Sequence, residues 1–150
     1  MSEPTAKPLL QLNELTVAFD GKVVVEALSL TVNAGETLAI VGESGSGKSV
    51  SALGAIDLLP SNAEVRGERW LEGADLNKLS KRDWNGIRGN RVGFIFQEPM
   101  TALNPVYTIG NQMVEVIRVH QKVSKAVAKK QAIEMLRTVN IESPEKRIDQ

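Results

Sequence analysis

Gly42-Glu43-Ser44-Gly45-Ser46-Gly47-Lys48-Ser49 decides how this chain folds. The stretch fits the pattern G-x-x-x-x-G-K-S/T, the P-loop. Its chemistry follows from its residues. Glycines let the backbone turn tightly, so that successive N–H groups point inward and form a nest for an anion. A helix opening near Lys48 adds its unpaired first N–H groups and the positive end of its dipole. Lys48 is a mobile point charge for the β- and γ-phosphates, and the Ser49 hydroxyl is placed for one Mg²⁺ position. Glu43, Ser44 and Ser46 contribute mainly backbone, with the Ser46 hydroxyl also in reach. At average residue frequencies, a chance match somewhere in the chain is roughly one in two hundred. The motif implies a nucleoside triphosphate, read here as ATP, with Mg²⁺ as ligand, and by itself does not choose between kinase, GTPase, transporter and repair ATPase.

The flanks agree with the motif. Upstream, Leu38-Ala39-Ile40-Val41 is apolar without alternation, which predicts a strand covered on both faces, as in a parallel sheet. Downstream, Ala52, Leu53, Ile56 and Leu59 fall on one helical face, and Pro60 predicts the stop. Further toward the N-terminus, Leu10, Leu12, Leu15, Val17 and Phe19 alternate with other residues, Val23 to Val25 resumes the apolar run, and Leu28, Leu30 and Val32 alternate again. Asp20-Gly21 between such runs predicts a hairpin, because both central turn positions need positive φ. Asn33-Ala34-Gly35 predicts another turn. The first third therefore reads as a small antiparallel sheet. Beyond Pro60, residues 64–75 read as a short strand and residues 80–88 as a short helix in which Trp84 packs. Val92, Phe94 and Phe96 read as a second apolar strand ending at Gln97-Glu98-Pro99. Two amphipathic helices follow. Thr108 is the expected N-cap of the first, with Met113, Val116, Ile117 and His120 along a stripe. Ser124 is the expected N-cap of the second, with Ile133, Leu136 and Val139 on its buried face. Pro144-Glu145 opens a further helix.

Composition sets the bounds. The chain has 150 residues, 42% hydrophobic and 24% charged, with a formal net charge of zero. Those values describe a globular domain with a core, and the zero balance gives no reason to expect nucleic acid as a partner. The absence of cysteine excludes a disulfide framework and thiolate metal sites. Residues 1–8 lack the apolar centre of a secretory signal, and no apolar run approaches the ~20 residues that span a bilayer. Any link to a membrane is expected to run through a partner.

About fifty residues past Lys48 lies Phe94-Ile95-Phe96-Gln97-Glu98-Pro99. A strand ending in Gln beside a loop resembles the Q-loop of ABC-transporter ATP-binding subunits. VGESGSGKSV from Val41 to Val50, followed by QEPMTALNP from Gln97 to Pro105, resembles the dipeptide, oligopeptide and nickel importer branch. The resemblance runs from about Leu10 to Gln150. It implies an α/β P-loop fold of ABC type: an N-terminal antiparallel sheet, an incomplete parallel core and a partial helical subdomain. By resemblance, residues 1–150 are the N-terminal part of one ATP-binding domain. The nucleotide would be held by Phe19, stacking on adenine, by Gly42 to Val50, and by Gln97. Gln97 would touch Mg²⁺ or the attacking water, which a neutral amide can do without adding charge. A core aromatic of the first sheet stays open as the other reading of Phe19. Met100 to Pro105 would face a membrane subunit.

The resemblance also implies a second ATP-binding subunit, transmembrane permease subunits, a solute-binding protein reached indirectly, and a peripheral place on the cytoplasmic face of the inner membrane. ATP hydrolysis would power import of peptides or a related small solute. The family's L-S-G-G-Q signature, its Walker B Asp, its water-activating Glu and its switch His are not found in residues 1–150, and His120 reads as a helix residue. The chain alone is therefore expected to be inactive and cut before the signature. Two other readings stay open: a non-catalytic nucleotide-binding fragment, and a soluble ABC-type ATPase.

Overall fold

The computed structural model describes residues 8–98 and 102–150. They form two compact units, one running to Trp84 and the other beginning at Asn85.

The first unit is built on a four-stranded antiparallel sheet in the order β2-β1-β3-β4. Its strands are β1 (Pro8–Phe19), β2 (Lys22–Asn33), β3 (Ala63–Leu71) and β4 (Ala74–Asp75). The hairpin stands where Asp20-Gly21 predicts it: Phe19 pairs with Lys22, and Asp20 and Gly21 take φ of 49° and 81°. The predicted turn at Asn33 closes through the Glu36 N–H on the Asn33 carbonyl, while the Glu36 carboxylate accepts from the Asn33 N–H at 2.7 Å. What the sequence divides into two apolar runs after the turn is one strand with an irregularity in it. Ala27 has positive φ, and its N–H is taken up by the Thr16 hydroxyl at 3.0 Å. The bulge on β1 at Glu14 is satisfied in the same way, by Ser29 Oγ at 2.9 Å. Hydroxyls on the neighbouring strand thus replace ladder bonds that the bulges remove.

One face of this sheet carries helix α1 (Lys48–Ala55). Leu12, Leu15, Val17, Val25 and Ala55 form the buried core between them, with Val50, Leu59 and Val65 packed at its edge. The buried face of α1 is Ser51, Gly54 and Ala55 rather than the predicted Ala52–Leu53–Ile56–Leu59 stripe, although Ile56 is buried beyond the helix end. Small residues let the helix lie close to Val17 and Val65, within about 4 Å of the Gly54 Cβ position. The helix also ends earlier than Pro60 requires, with Ile56 as C-cap.

Two sequence expectations fail here. Leu38 to Val41 is not a strand, and Leu38, Ile40 and Val41 are 42%, 46% and 89% exposed. Residues 93–96 are likewise irregular, and Val92 makes only an isolated parallel bridge with Arg88. A parallel strand takes its hydrogen bonds from neighbours supplied by distant crossovers. The four-stranded sheet closes its own ladders antiparallel and takes neither segment in. Among the described residues the α/β class is realised by the antiparallel sheet and its helices, without a paired parallel core. The 64–75 segment, by contrast, is β3 and β4, and the short helix is α2 (Lys81–Ile87) with Trp84 buried.

The second unit holds α3 (Ile109–His120), α4 (Lys125–Thr138) and α5 (Pro144–Arg147). Thr108 and Ser124 cap α3 and α4 as predicted, their hydroxyls accepting from Asn111 N–H at 3.1 Å and Val127 N–H at 3.3 Å. Pro144 stands at the start of α5, as its fixed φ favours. The core is Val114, Ile117, Ala128, Ala132 and Ile148, with Met113, Ile133 and Leu136 against it. Val116 and Val139, expected inside, are 55% and 65% exposed. The alanines of α4 face α3 instead, so that the two helices approach closely. No helix among the described residues is long and apolar enough to cross a membrane.

Candidate functional site

The loop Gly42–Ser49 sits at the start of α1. Its N-cap, Gly47, has φ 91° and makes no side-chain cap bond, because it has no side chain. The helix ladder begins with Ser51 N–H on the Gly47 carbonyl at 2.8 Å, and the buried Ser51 hydroxyl doubles that contact at 2.8 Å. Among the described residues, no acceptor takes the N–H groups of Gly45, Gly47, Lys48 or Ser49. These are the orphan donors of a helix start, joined to those of a tight turn, and together they fit an oxyanion.

Gly47 also has no room for a side chain. A Cβ there would lie 3.0 Å from Val25 Cγ2 and 3.2 Å from the Val24 carbonyl. The loop therefore rests directly on β2 just beyond the hairpin. A Cβ on Gly42 would meet Ser46 Oγ at 2.8 Å. Gly45, at φ 79°, is open around its Cβ position.

Lys48 is folded into the loop. Its ammonium donates to the Gly42 carbonyl at 2.7 Å, to the Glu43 carbonyl, and to Ser46 Oγ at 3.2 Å. All three ammonium hydrogens are thus engaged by the loop that would wrap a phosphate chain. Glu43, Ser44, Ser46 and Ser49 are exposed, and the Ser49 hydroxyl has no partner among the described residues. Val50 turns its side chain toward the core, so its backbone is what it offers a ligand.

Phe19 lies half-buried at the end of β1, paired across the hairpin with Lys22 and on its other side with Ala63. It packs against the core cluster, which is the role that the sequence leaves open beside adenine stacking. Gln97 belongs to the second unit. It is exposed in a bend, and with Phe96, Glu98 and Ala102 it lines a shallow cleft of about 510 Å³. The rings of Phe94 and Phe96 meet edge to face at 4.9 Å. Met100 and Thr101, part of the segment expected to face a membrane subunit, lie outside the described residues, as does Pro99.

Two residues of consequence were not legible in the sequence. Arg69, on β3, is 7% exposed and donates to the Gly54 carbonyl at 2.8 Å and to Asn77 Oδ1 at 2.7 Å. Its guanidinium lies 5.7 Å from the centre of the Trp84 ring and 3.7 Å from the Asp57 carboxylate. A cation at the last turn of α1 complements the helix dipole at the end opposite the P-loop. Nothing local marks an inward-facing Arg in an alternating strand, although Trp84 and Asn77 supply its partners. The second is Gln112, whose side chain reaches back to residues 104–107.

The comparisons with known proteins agree with one another. The ABC transporter family model matches residues 25–150. The chain is 45% identical over 148 residues to the oligopeptide transport ATP-binding protein OppD of Bacillus subtilis, covering 95% of this chain and 41% of that protein. It is 44% identical over 154 residues to a probable peptide ABC transporter ATP-binding protein of Sinorhizobium fredii, covering 99% of this chain and 46% of the relative. It therefore spans less than half the length of these curated relatives. Among solved structures, a dimeric bacterial ABC transporter cassette matches with a TM-score of 0.75 at 24% identity, over 95% of this chain and 61% of that one. The same cassette in a post-hydrolysis state, bound to ADP and phosphate, matches equally. Sequence, fold and the uncapped glycine-rich helix start thus point one way, and the chain belongs to the ABC transporter family.

Proposed function

We propose that this chain binds Mg·ATP at Gly42–Ser49 and serves as the ATP-binding part of an ABC transporter that imports peptides or a related small solute. The observation that carries the reading is the crown of unspent N–H groups over the uncapped start of α1, with the Lys48 ammonium folded into it. Such a site fits a polyphosphate. Backbone donors hold the oxygens without desolvating a side chain, and Lys48 can exchange loop carbonyls for phosphate oxygens that carry full charge. Gly42, Gly45 and Gly47 permit the approach, while Glu43, Ser44, Ser46 and Val50 offer backbone.

The Ser49 hydroxyl suits Mg²⁺, which prefers one or two protein oxygens together with water and phosphate. When bound, the metal would neutralise charge on the β- and γ-phosphates, and Gln97 would take part in holding it or the attacking water. Phe19 is proposed as the adenine contact at the hairpin end. The names of the relatives support a transport role: those proteins are ATP-binding components of oligopeptide and peptide transporters. Permease subunits and a second ATP-binding subunit are the partners proposed, at the inner face of the membrane.

The test is titration with a fluorescent ATP analogue, with and without Mg²⁺. Lys48→Ala should weaken binding by about 1.5–3 kcal/mol, the range for hydrogen bonds to charged groups. Lys48→Arg should not restore it, because a planar fork does not replace a point charge. Unchanged affinity in both variants would remove the phosphate-site reading. The chain by itself should release phosphate no faster than Lys48→Ala. A Lys48-dependent rate of order 1 s⁻¹, within the usual range for enzymes, would place a water-activating group inside residues 1–150.

A further inference from the structure

We infer that Arg69 is a positioning residue for the nucleotide site: its guanidinium fixes the far end of α1, and through that one short helix it holds the Gly42–Ser49 loop in its phosphate-binding shape. The inference rests on the Mg·ATP reading above, and every group it uses lies in the first unit.

The last turn of α1 ends in a paired cap. Leu58 N–H reaches the Leu53 carbonyl at 2.9 Å, and Asp57 N–H reaches the Gly54 carbonyl at 3.4 Å. Such a pair of bonds requires left-handed backbone at the first residue past the C-cap, a place usually filled by glycine. Here Asp57 fills it, at φ 57°. The cap therefore carries a backbone cost that glycine would not. Arg69 supplies what offsets it. Its Nη1 donates to the Gly54 carbonyl at 2.8 Å and lies 3.7 Å from Asp57 Oδ1. The guanidinium is itself aimed. Arg69 Nε donates to Asn77 Oδ1 at 2.7 Å, while Asn77 Nδ2 donates to the Gly67 carbonyl at 2.8 Å. The Trp84 ring lies 5.7 Å away and adds a cation–π contact.

The path from this cap to the loop is short. Helix α1 has eight residues, so it spans about 12 Å. A helix of that length is not stable by itself, and contacts at its ends decide whether its first turn stays formed. Its buried face is Ser51, Gly54 and Ala55, which present little relief to interlock with the sheet. Packing alone therefore resists sliding weakly. The helix is pinned at its start, where Gly47 rests on Val24 and Val25, and at its end by Arg69. The N–H groups of the loop and first turn serve one phosphate chain only if they converge within hydrogen-bond tolerance. Releasing the far end lets them spread.

The experiment uses the whole chain with Arg69→Met, Arg69→Lys, Thr16→Val and Lys48→Ala. Lys keeps the charge and gives up the fork, so it carries the test if Met disturbs folding. Thr16→Val removes the hydroxyl that serves the Ala27 N–H, a loss in the same sheet with no part in the α1 cap. Three readouts are taken: urea unfolding, hydrogen exchange across residues 48–58, and affinity for the fluorescent ATP analogue with Mg²⁺ in the absence of urea. Arg69→Met should bind about tenfold more weakly, the scale of one hydrogen bond to a charged group, and Arg69→Lys should fall between it and the wild type. Exchange at 55–58 should rise by about tenfold or more in Arg69→Met, and Mg·ATP should slow it again, because order at one end and binding at the other are linked. Thr16→Val should lose stability and keep its affinity. Wild-type affinity in both Arg69 variants would overturn the inference. So would an equal fall in Thr16→Val, which would show affinity following stability in general. Fast exchange at 55–58 that Mg·ATP leaves unchanged would show that the two ends of α1 act independently, and would overturn it as well. Unchanged affinity in Lys48→Ala would defeat the phosphate site and this inference with it. Affinity lost in Lys48→Ala but kept in both Arg69 variants would defeat the inference alone.

Discussion

Replacing Gly47 by Ala tests the proposed phosphate loop at its tightest point. Gly47 has φ 91° and ψ 5°, and its Cβ position lies 3.0 Å from Val25 Cγ2 and 3.2 Å from the Val24 carbonyl. An L-residue in left-handed backbone costs about 1–2 kcal/mol. Forcing a methyl into the two close contacts adds about 1–3 kcal/mol, the usual range for overpacking. If the loop keeps its shape, the variant should lose about 2–5 kcal/mol of stability, the sum of those two ranges. The alternative is that the loop escapes by turning Gly47 to negative φ. That swings the Gly47 and Lys48 N–H groups off their common target, and losing one such bond to a charged oxygen costs about 1.5–3 kcal/mol of binding. Either way the defect is visible: in urea unfolding if the loop holds, or in Mg·ATP titration if it relaxes, where affinity falls roughly ten- to a hundred-fold. Gly45→Ala is the built-in comparison. Its φ is 79° but nothing lies within 4 Å of its Cβ position. It should therefore show only the backbone cost, about 1–2 kcal/mol. Stability and affinity both unchanged in Gly47→Ala would refute the geometry of the loop on which the proposed site depends.

Arg69→Met should cost about 2–4 kcal/mol in urea unfolding, because the Gly54 carbonyl and Asn77 lose a charged donor. A loss under about 0.5 kcal/mol, the level of an ordinary surface change, would mean that the guanidinium does not fasten α1. Ser80 and Asp83 form a reciprocal cap at the start of α2, with Ser80 Oγ to Asp83 Oδ2 at 2.6 Å and Ser80 N–H to the same oxygen at 3.0 Å. The Ser80 hydroxyl, then the Ser80 N–H, hold the Asp83 pKa below its ordinary value, against a small opposing effect of burial. A carboxylate with depressed folded-state pKa stabilises above its unfolded value and loses that contribution as pH falls through the folded one. Asp83→Asn should therefore flatten the stability–pH curve below about pH 4. Identical acid limbs in thermal melts of the two proteins would remove the assignment. Finally, Val41 at 89% and Ile95 at 90% exposure predict self-association of the chain by itself. Light scattering after size exclusion should show aggregates that Val41→Lys with Ile95→Lys reduces, and a monodisperse wild-type monomer would contradict the expectation.

What the sequence determined by itself is local. The Asp20-Gly21 hairpin, the caps at Thr108 and Ser124 and the start of α5 at Pro144 each depend on φ preferences and hydrogen bonds within a few residues. The P-loop is legible for the same reason, since its glycines, its Lys and the helix start are contiguous and their geometry is nearly self-contained. Which face of α1 is buried could not be read, because the choice of Ser51, Gly54 and Ala55 follows from how close the sheet lets the helix lie. The same holds for Ala128 and Ala132 over Val139 in α4, where the approach of α3 favours small side chains. Leu38 to Val41 has the composition of a buried strand, yet a strand exists only with a neighbour on its ladder, and the neighbour is not encoded in the segment. Arg69 and Gln112 are the sharpest cases. Each is an ordinary surface residue type whose role appears only when Gly54, Asn77 and Trp84, or Asn104 and Tyr107, are brought beside it. Short-range chemistry is written along the chain, whereas burial and partnership are properties of pairs that only the folded arrangement brings together.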